Sequence, residues 1–126
     1  MSEELSKKLE ELKIEDFIWL IYIVIIGLSY ISNYFERNYF LFNDIVSKDK
    51  YRKITVFIFS VLVVIYFYFF IGSYEDYINL SIFDSDKKRK LSFLSLLSSL
   101  LVFISGLIFL YIAYNDDNLD VEIAFN

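Results

Sequence analysis

"ITVFIFSVLVVIYFYFFIGSY", residues 54–74, contains no Asp, Glu, Lys or Arg, and Lys53 and Glu75 border it on either side. A helix of about 20 apolar residues spans the roughly 30 Å hydrocarbon core of a bilayer. The segment is rich in Val, Ile, Phe and Tyr, which favour β-strands in water. In lipid the backbone must satisfy its own hydrogen bonds, so a membrane environment predicts a helix. The aromatic half of this helix, residues 65–72, is expected to contact lipid and the membrane interface.

Two further segments, residues 17–35 and 91–115, also lack charged side chains, so the 12 basic and 17 acidic residues all lie outside three apolar segments. A chain of 126 residues has too little interior to bury three such segments on every side. Outer-membrane β-strands are shorter, about 10 residues, and alternate polar with apolar side chains. The sequence therefore predicts one all-α integral membrane domain, residues 1–126, with transmembrane helices over residues 17–35, 54–73 and 91–114.

The N-terminal segment, residues 3–16, has the pattern of a short amphipathic helix. Leu5, Leu9 and Leu12 share one face, and Glu3–Lys7 and Glu4–Lys8 are favourable pairs four residues apart. Such a helix lies on lipid headgroups or docks on a partner. The alternative interpretation is a solvated leader that continues into the first transmembrane helix.

The C-terminal tail, residues 115–126, carries four acidic residues and no basic one. Its apolar residues alternate with polar or small ones, which is typical of a half-buried strand. Such a strand would add to the sheet edge of a partner, whereas a disordered terminus is the alternative. The candidate partner-docking residues are Leu119, Val121, Ile123 and Phe125.

The third apolar segment contains small residues at helical spacing. Positions 92, 95, 99, 102 and 106 are three or four residues apart, so they lie along one side of a helix. Small residues allow a neighbouring helix to approach closely, and serine hydroxyls form hydrogen bonds across the contact. The candidate helix-packing residues are Ser92, Ser95, Ser99 and Gly106, with Gly27 in the first segment. One alternative is a polar channel lining, although the charges that usually accompany ion selection are missing from the segment. The other alternative is that the serines donate hydrogen bonds to the carbonyls four residues earlier in their own helix.

Basic residues in the connecting segments, residues 36–53 and 75–90, bear on orientation. The run Lys87, Lys88, Arg89 and Lys90 beside the third segment is typical of a topology determinant or of a site for lipid headgroups. With three spans, the N-terminus and the second connection share one side and carry seven basic residues, against five on the other side. This difference favours a chain inserted in the cell membrane with its N-terminus on the cytoplasmic side. Counts of seven and five are so similar that copies inserted in opposite orientations, paired as antiparallel dimers, are a further hypothesis.

Composition excludes several kinds of chemistry. The chain contains no Cys and no His, and thus lacks the commonest thiolate and imidazole groups for catalysis and metal binding. No phosphate-binding loop or zinc-protease motif is present, so neither an enzyme nor a cofactor or metal site is predicted. The net charge of −5 disfavours nucleic acid as the main partner. The abundance of Ile, Phe, Tyr, Lys and Asn is typical of a small protein from an AT-rich bacterial genome.

Two functions remain as hypotheses. The first is a small structural, interaction or accessory protein that packs through its third helix on a second copy of itself or on a larger membrane protein. Immunity-type proteins and accessory subunits share this size and number of spans, which is an analogy at the level of architecture. The second is a minimal oligomeric transporter or channel lined by the serines of the third helix.

Overall fold

Three long α-helices make up most of residues 2–121, the part of the chain that the computed structural model describes. Helix α1 spans Glu3–Phe42, α2 spans Ile45–Ile78, and α3 spans Asp86–Asn115. Each helix is long and apolar enough to cross a membrane, by length and composition. The prediction of an all-α chain with three helices of membrane-spanning length is therefore confirmed.

Helix α1 is continuous over its 40 residues, so residues 3–16 do not form a separate amphipathic helix. Ser2 caps its start, because the Ser2 hydroxyl accepts a hydrogen bond of 3.1 Å from the backbone N–H of Leu5. Residues 3–16 contain neither Pro nor Gly and are rich in Leu, Lys and Glu, which favour helix. Nothing in this sequence stops the helix before the apolar segment. Leu5, Leu9 and Leu12 are exposed on it.

The first connection is far shorter than the charge pattern indicated, because residues 36–53 are helical except at Asn43 and Asp44. Asn43 has a φ of 53°, and its N–H donates to the carbonyl of Tyr39 at 2.8 Å, which ends α1. The Asp44 carboxylate accepts from the Ser47 hydroxyl at 2.8 Å and from the Val46 N–H at 3.1 Å, which starts α2. The pKa of Asp44 is below its ordinary value, and the hydrogen bond from the Ser47 hydroxyl is the largest cause. Charged residues limit how much of a helix lies in lipid, and they do not limit the length of the helix.

The chain divides into two compact units, Met1–Ile54 and Thr55–Asn126, and the boundary falls within α2. In the first unit, two ammonium groups from the start of α2 lie over aromatic rings near the end of α1. The Nζ atom of Lys48 is 5.2 Å from the ring centre of Tyr39, and that of Lys50 is 5.2 Å from the ring centre of Phe35. These cation–π contacts hold the first turns of α2 beside the end of α1.

In the second unit, α3 packs antiparallel to the part of α2 that follows Thr55. Aromatic pairs mark the contact from end to end, and later residues of α2 meet earlier residues of α3. The ring centres are 5.6 Å apart for Phe59–Phe109, 5.4 Å for Phe67–Phe103, 6.2 Å for Phe70–Phe103 and 6.1 Å for Tyr77–Phe93. The aromatic residues of α2 were expected to contact lipid and the membrane interface. Phe67 and Phe70 also contact Phe103 of α3, while Phe67 keeps an exposed fraction of 49%. The first pair is tilted and the second is stacked, and aromatic rings favour both arrangements.

Many large apolar side chains on the three helices point outward. Trp19, Val64 and Leu101 have exposed fractions of 65%, 69% and 55%. A soluble protein with so many exposed apolar groups would associate through them. In a bilayer the same side chains contact lipid, which agrees with a multi-pass membrane protein.

Candidate functional site

Three serines form a polar contact between α2 and α3 in the second unit. The Oγ atom of Ser73 lies 2.9 Å from the Oγ atom of Ser99 and 3.5 Å from that of Ser95. The Ser99 hydroxyl also donates to the backbone carbonyl of Ser95 at 2.9 Å. Because a hydroxyl has only one proton, Ser99 must accept the hydrogen bond that Ser73 donates. The chain of donors runs from Ser73 to Ser99 and ends on the Ser95 carbonyl.

Two helical turns after the serines, Gly106 marks a close approach of α3 to α2. Gly106 is buried, and a Cβ atom built there would lie 2.9 Å from Cδ2 of Tyr66 and 3.4 Å from Cγ2 of Val63. Real Cβ atoms essentially never come as close as 2.9 Å to a non-bonded heavy atom. The missing side chain therefore makes room for the Tyr66 ring.

The five predicted helix-packing residues are not all brought together. Ser95, Ser99 and Gly106 face α2 within the same chain. Ser92 is half-buried and lies nearer the start of α3. Gly27 in α1 is exposed, and a Cβ atom built there would meet no heavy atom of the described residues within 4 Å. Packing on another molecule through these residues stays a prediction.

The predicted basic run, Lys87–Lys90, occupies the first turns of α3 and helps to shape the connection before it. The Ser85 hydroxyl caps α3 by accepting from the N–H of Lys88 at 3.1 Å. Lys88 Nζ forms an ion pair of 3.0 Å with Asp84, and Arg89 donates to the carbonyl of Ser81. Two of the four basic side chains thus bind the connecting segment. Lys87 and Lys90 lie beside them on the same turns, and Lys87 is exposed.

An open crevice of ≈ 370 Å³ runs along the start of α3. Most of its wall is apolar surface, and lysine and serine side chains supply the polar part. The lining residues are Ser85, Lys87, Lys88, Leu91, Ser92 and Ser95. Since Ser95 also approaches Ser73, the crevice ends beside the serine contact.

Asp84 has a lowered pKa, and the hydrogen bond from Lys88 is the first cause. The charged carboxylate therefore stabilises the folded connection above the ordinary Asp pKa of about 3.9, and this stabilisation is lost as the pH falls through the lowered value.

We expect Lys88→Gln to raise the pKa of Asp84, so that the stabilisation of the connection begins to be lost at a higher pH. Titration of the carboxyl carbon by NMR measures this shift. Lys87→Gln is the matched control, and an equal shift in both variants would contradict the role of the Lys88 hydrogen bond.

The C-terminal tail begins with a turn at residues 117–118, where the sequence left open a docking strand or a disordered terminus. Leu119 has a φ of 55°, and the Asp116 carboxylate accepts backbone N–H bonds from Asp120 at 3.0 Å and from Val121 at 2.8 Å. Asp side chains commonly capture nearby backbone N–H groups in this way, and the capture competes with an extended strand. The docking candidates Ile123 and Phe125 lie outside the described residues.

Sequence reasoning did not identify the α2 side of the contact. Ser73 and Tyr66 are seven residues apart, which places them on one face of α2. That spacing was the available signal, but one serine and one tyrosine among many aromatic residues do not form a recognisable pattern. Only the partner residues on α3 distinguish them.

Comparisons with protein-family models, with curated proteins and with solved structures give no match for this chain.

Proposed function

We propose that the chain is a small structural or interaction protein of the cell membrane, which acts through helix packing rather than catalysis. The observation that supports this proposal is the contact of Ser73 with Ser99. The Ser99 hydroxyl of α3 is engaged with the Ser73 hydroxyl of α2 and with the backbone carbonyl of Ser95, as in a packing interface. A channel lining would instead direct hydroxyls toward water and ions.

In this proposal α2 and α3 form a preassembled helix pair, and the remaining surfaces meet a second copy or a larger membrane protein. The exposed leucines of residues 3–16 and the acidic tail, residues 115–126, are the parts that would reach the soluble region of such a partner. The N-terminus lies in the cytoplasm, as the excess of basic residues on its side favours. An accessory or immunity-type role fits this arrangement.

Serine substitutions separate this function from the transporter or channel alternative. The double variant Ser95→Leu/Ser99→Leu is expected to loosen α3 from α2, because the replaced hydroxyls lie only 3.5 Å and 2.9 Å from the Ser73 hydroxyl. Ser95→Ala/Ser99→Ala removes the hydrogen bonds but not the close approach, at about 0.6–2 kcal/mol per bond. Chemical unfolding in detergent, followed by circular dichroism, measures the stability. Ion flux through vesicles that contain the purified chain measures conduction.

The matched control is Ser98→Leu/Ser105→Leu, which changes two exposed serines of the same helix. We expect these leucines to leave stability unchanged and no variant to conduct. The channel alternative would be supported if the wild-type chain conducts ions and alanine at positions 95 and 99 changes the flux without lowering the stability. If leucine at positions 95 and 99 changes neither quantity, both functions lose their structural basis.

A further inference from the structure

The crevice at the start of α3 combines a membrane-interface position with groups that bind phosphate. Lys87 and Lys88 precede Leu91, the first residue of the charge-free segment, by about one helical turn. If the charge-free segment fills the hydrocarbon core, both ammonium groups lie at the depth of the lipid headgroups. We propose that this crevice binds the headgroup of an anionic phospholipid.

The lining matches the two ends of such a lipid. Lys87, Lys88, Ser85 and Ser92 are among the lining residues, and ammonium and hydroxyl groups are donors for phosphate oxygens. The Lys88 ammonium group also forms the ion pair with Asp84, so Lys87 carries the unpaired positive charge of the lining. Leu91 supplies an apolar wall where the acyl chains begin. In the proposed complex the phosphate would contact the lysine and serine side chains, and the acyl chains would begin beside Leu91.

The charges around the crevice favour an anion over a zwitterion. Residues 84–90 contain two acidic and four basic side chains, and the Asp84 carboxylate is already paired with Lys88. The remaining acid, Asp86, lies in the first turn of α3. An excess of positive charge therefore remains at the mouth, and each basic residue near a membrane surface contributes roughly a fivefold preference for anionic lipid.

Lipid binding to the purified full-length chain tests the proposal. Native mass spectrometry would count bound lipid while the protein in neutral detergent is titrated with phosphatidylglycerol or phosphatidylcholine. We expect one phosphatidylglycerol molecule to be retained about five- to tenfold better than phosphatidylcholine. Lys87→Gln/Lys88→Gln should remove this preference. Ser92→Leu should remove it as well, because leucine fills the crevice without changing any charge.

Lys7→Gln/Lys8→Gln is the matched control, since it removes another adjacent lysine pair, which is exposed on α1. We expect this control to keep the preference. If both lysine-pair variants lose the lipid preference equally, the lipid is attracted by charge in general and the site is overturned. The site is also overturned if Ser92→Leu has native helicity and keeps the full preference. Displacement of the lipid by inorganic phosphate would assign the crevice to a free anion and overturn the lipid proposal.

Discussion

Gly106→Ile is expected to force α3 away from α2 and to destabilise the second unit by about 2–3 kcal/mol, the cost of severe overpacking. A Cβ atom at position 106 already lies 2.9 Å from the Tyr66 ring, and isoleucine adds two branches beyond it. The obstacles are two atoms of the Tyr66 ring, Cδ2 at 2.9 Å and Cε2 at 3.2 Å, so isoleucine requires the ring or the helix to shift. Chemical unfolding in detergent, followed by circular dichroism, measures the free energy of unfolding.

Gly27→Ile provides a control with the same change of residue. Position 27 is exposed and its surroundings are open among the described residues, so isoleucine there should contact lipid and cost little. It replaces a helical glycine, which by itself favours the variant by a few tenths of a kcal/mol. Equal destabilisation of the two variants would mean that Gly106 does not mark the close approach. No destabilisation at position 106 would have the same meaning.

Phe59→Ala is expected to lower the free energy of unfolding by about 1–3 kcal/mol. Phe59 has an exposed fraction of 1%, and its ring centre lies 5.6 Å from that of Phe109. In a soluble protein this truncation costs about 3–5 kcal/mol, which includes transfer of the ring out of water as well as the cavity left behind. In a membrane the transfer contribution largely disappears, because lipid is as apolar as the helix contact. The lost van der Waals contacts remain.

Phe57→Ala, two residues earlier on the same helix, is the control. Phe57 has an exposed fraction of 57%, so alanine there should exchange one lipid contact for another with little change in stability. Comparable losses at positions 57 and 59 would contradict the division of α2 into an inner and an outer face. A Phe59 variant as stable as the wild type would show that the aromatic contact with α3 contributes nothing to the fold.

The helix-pair variants also bear on function. If α3 acts by packing, variants at positions 59 and 106 should weaken the same helix pair that the leucine variants at positions 95 and 99 weaken. Lipid binding in the crevice is tested independently of helix packing, because the lipid-binding variants change side chains at the start of α3. A loss of lipid binding with an intact helix pair would separate the two properties.

The sequence did not predict where several of the helices begin and end. The three spans follow from charge-free length, but charged residues also continue a helix once it has left the lipid. Residues 3–16 and most of residues 36–53 are therefore helical, with Asn43 and Asp44 as the only interruption of the latter segment. The interruption depends on one left-handed residue and one capping carboxylate, and polar residues of both kinds occur at many other positions.

What the sequence determined by itself is the class of structure. The separation of charged from apolar residues requires three helices of membrane-spanning length, because unpaired backbone groups are too costly in lipid. Helical spacing also places Ser95, Ser99 and Gly106 along one side of α3. Only the tertiary structure decided that α2 covers that side, with Ser73 and Tyr66 as the contacting residues. The reason is physical: every long apolar helix presents much the same surface to lipid, so the choice of neighbour depends on the fit of particular side chains and not on overall apolarity.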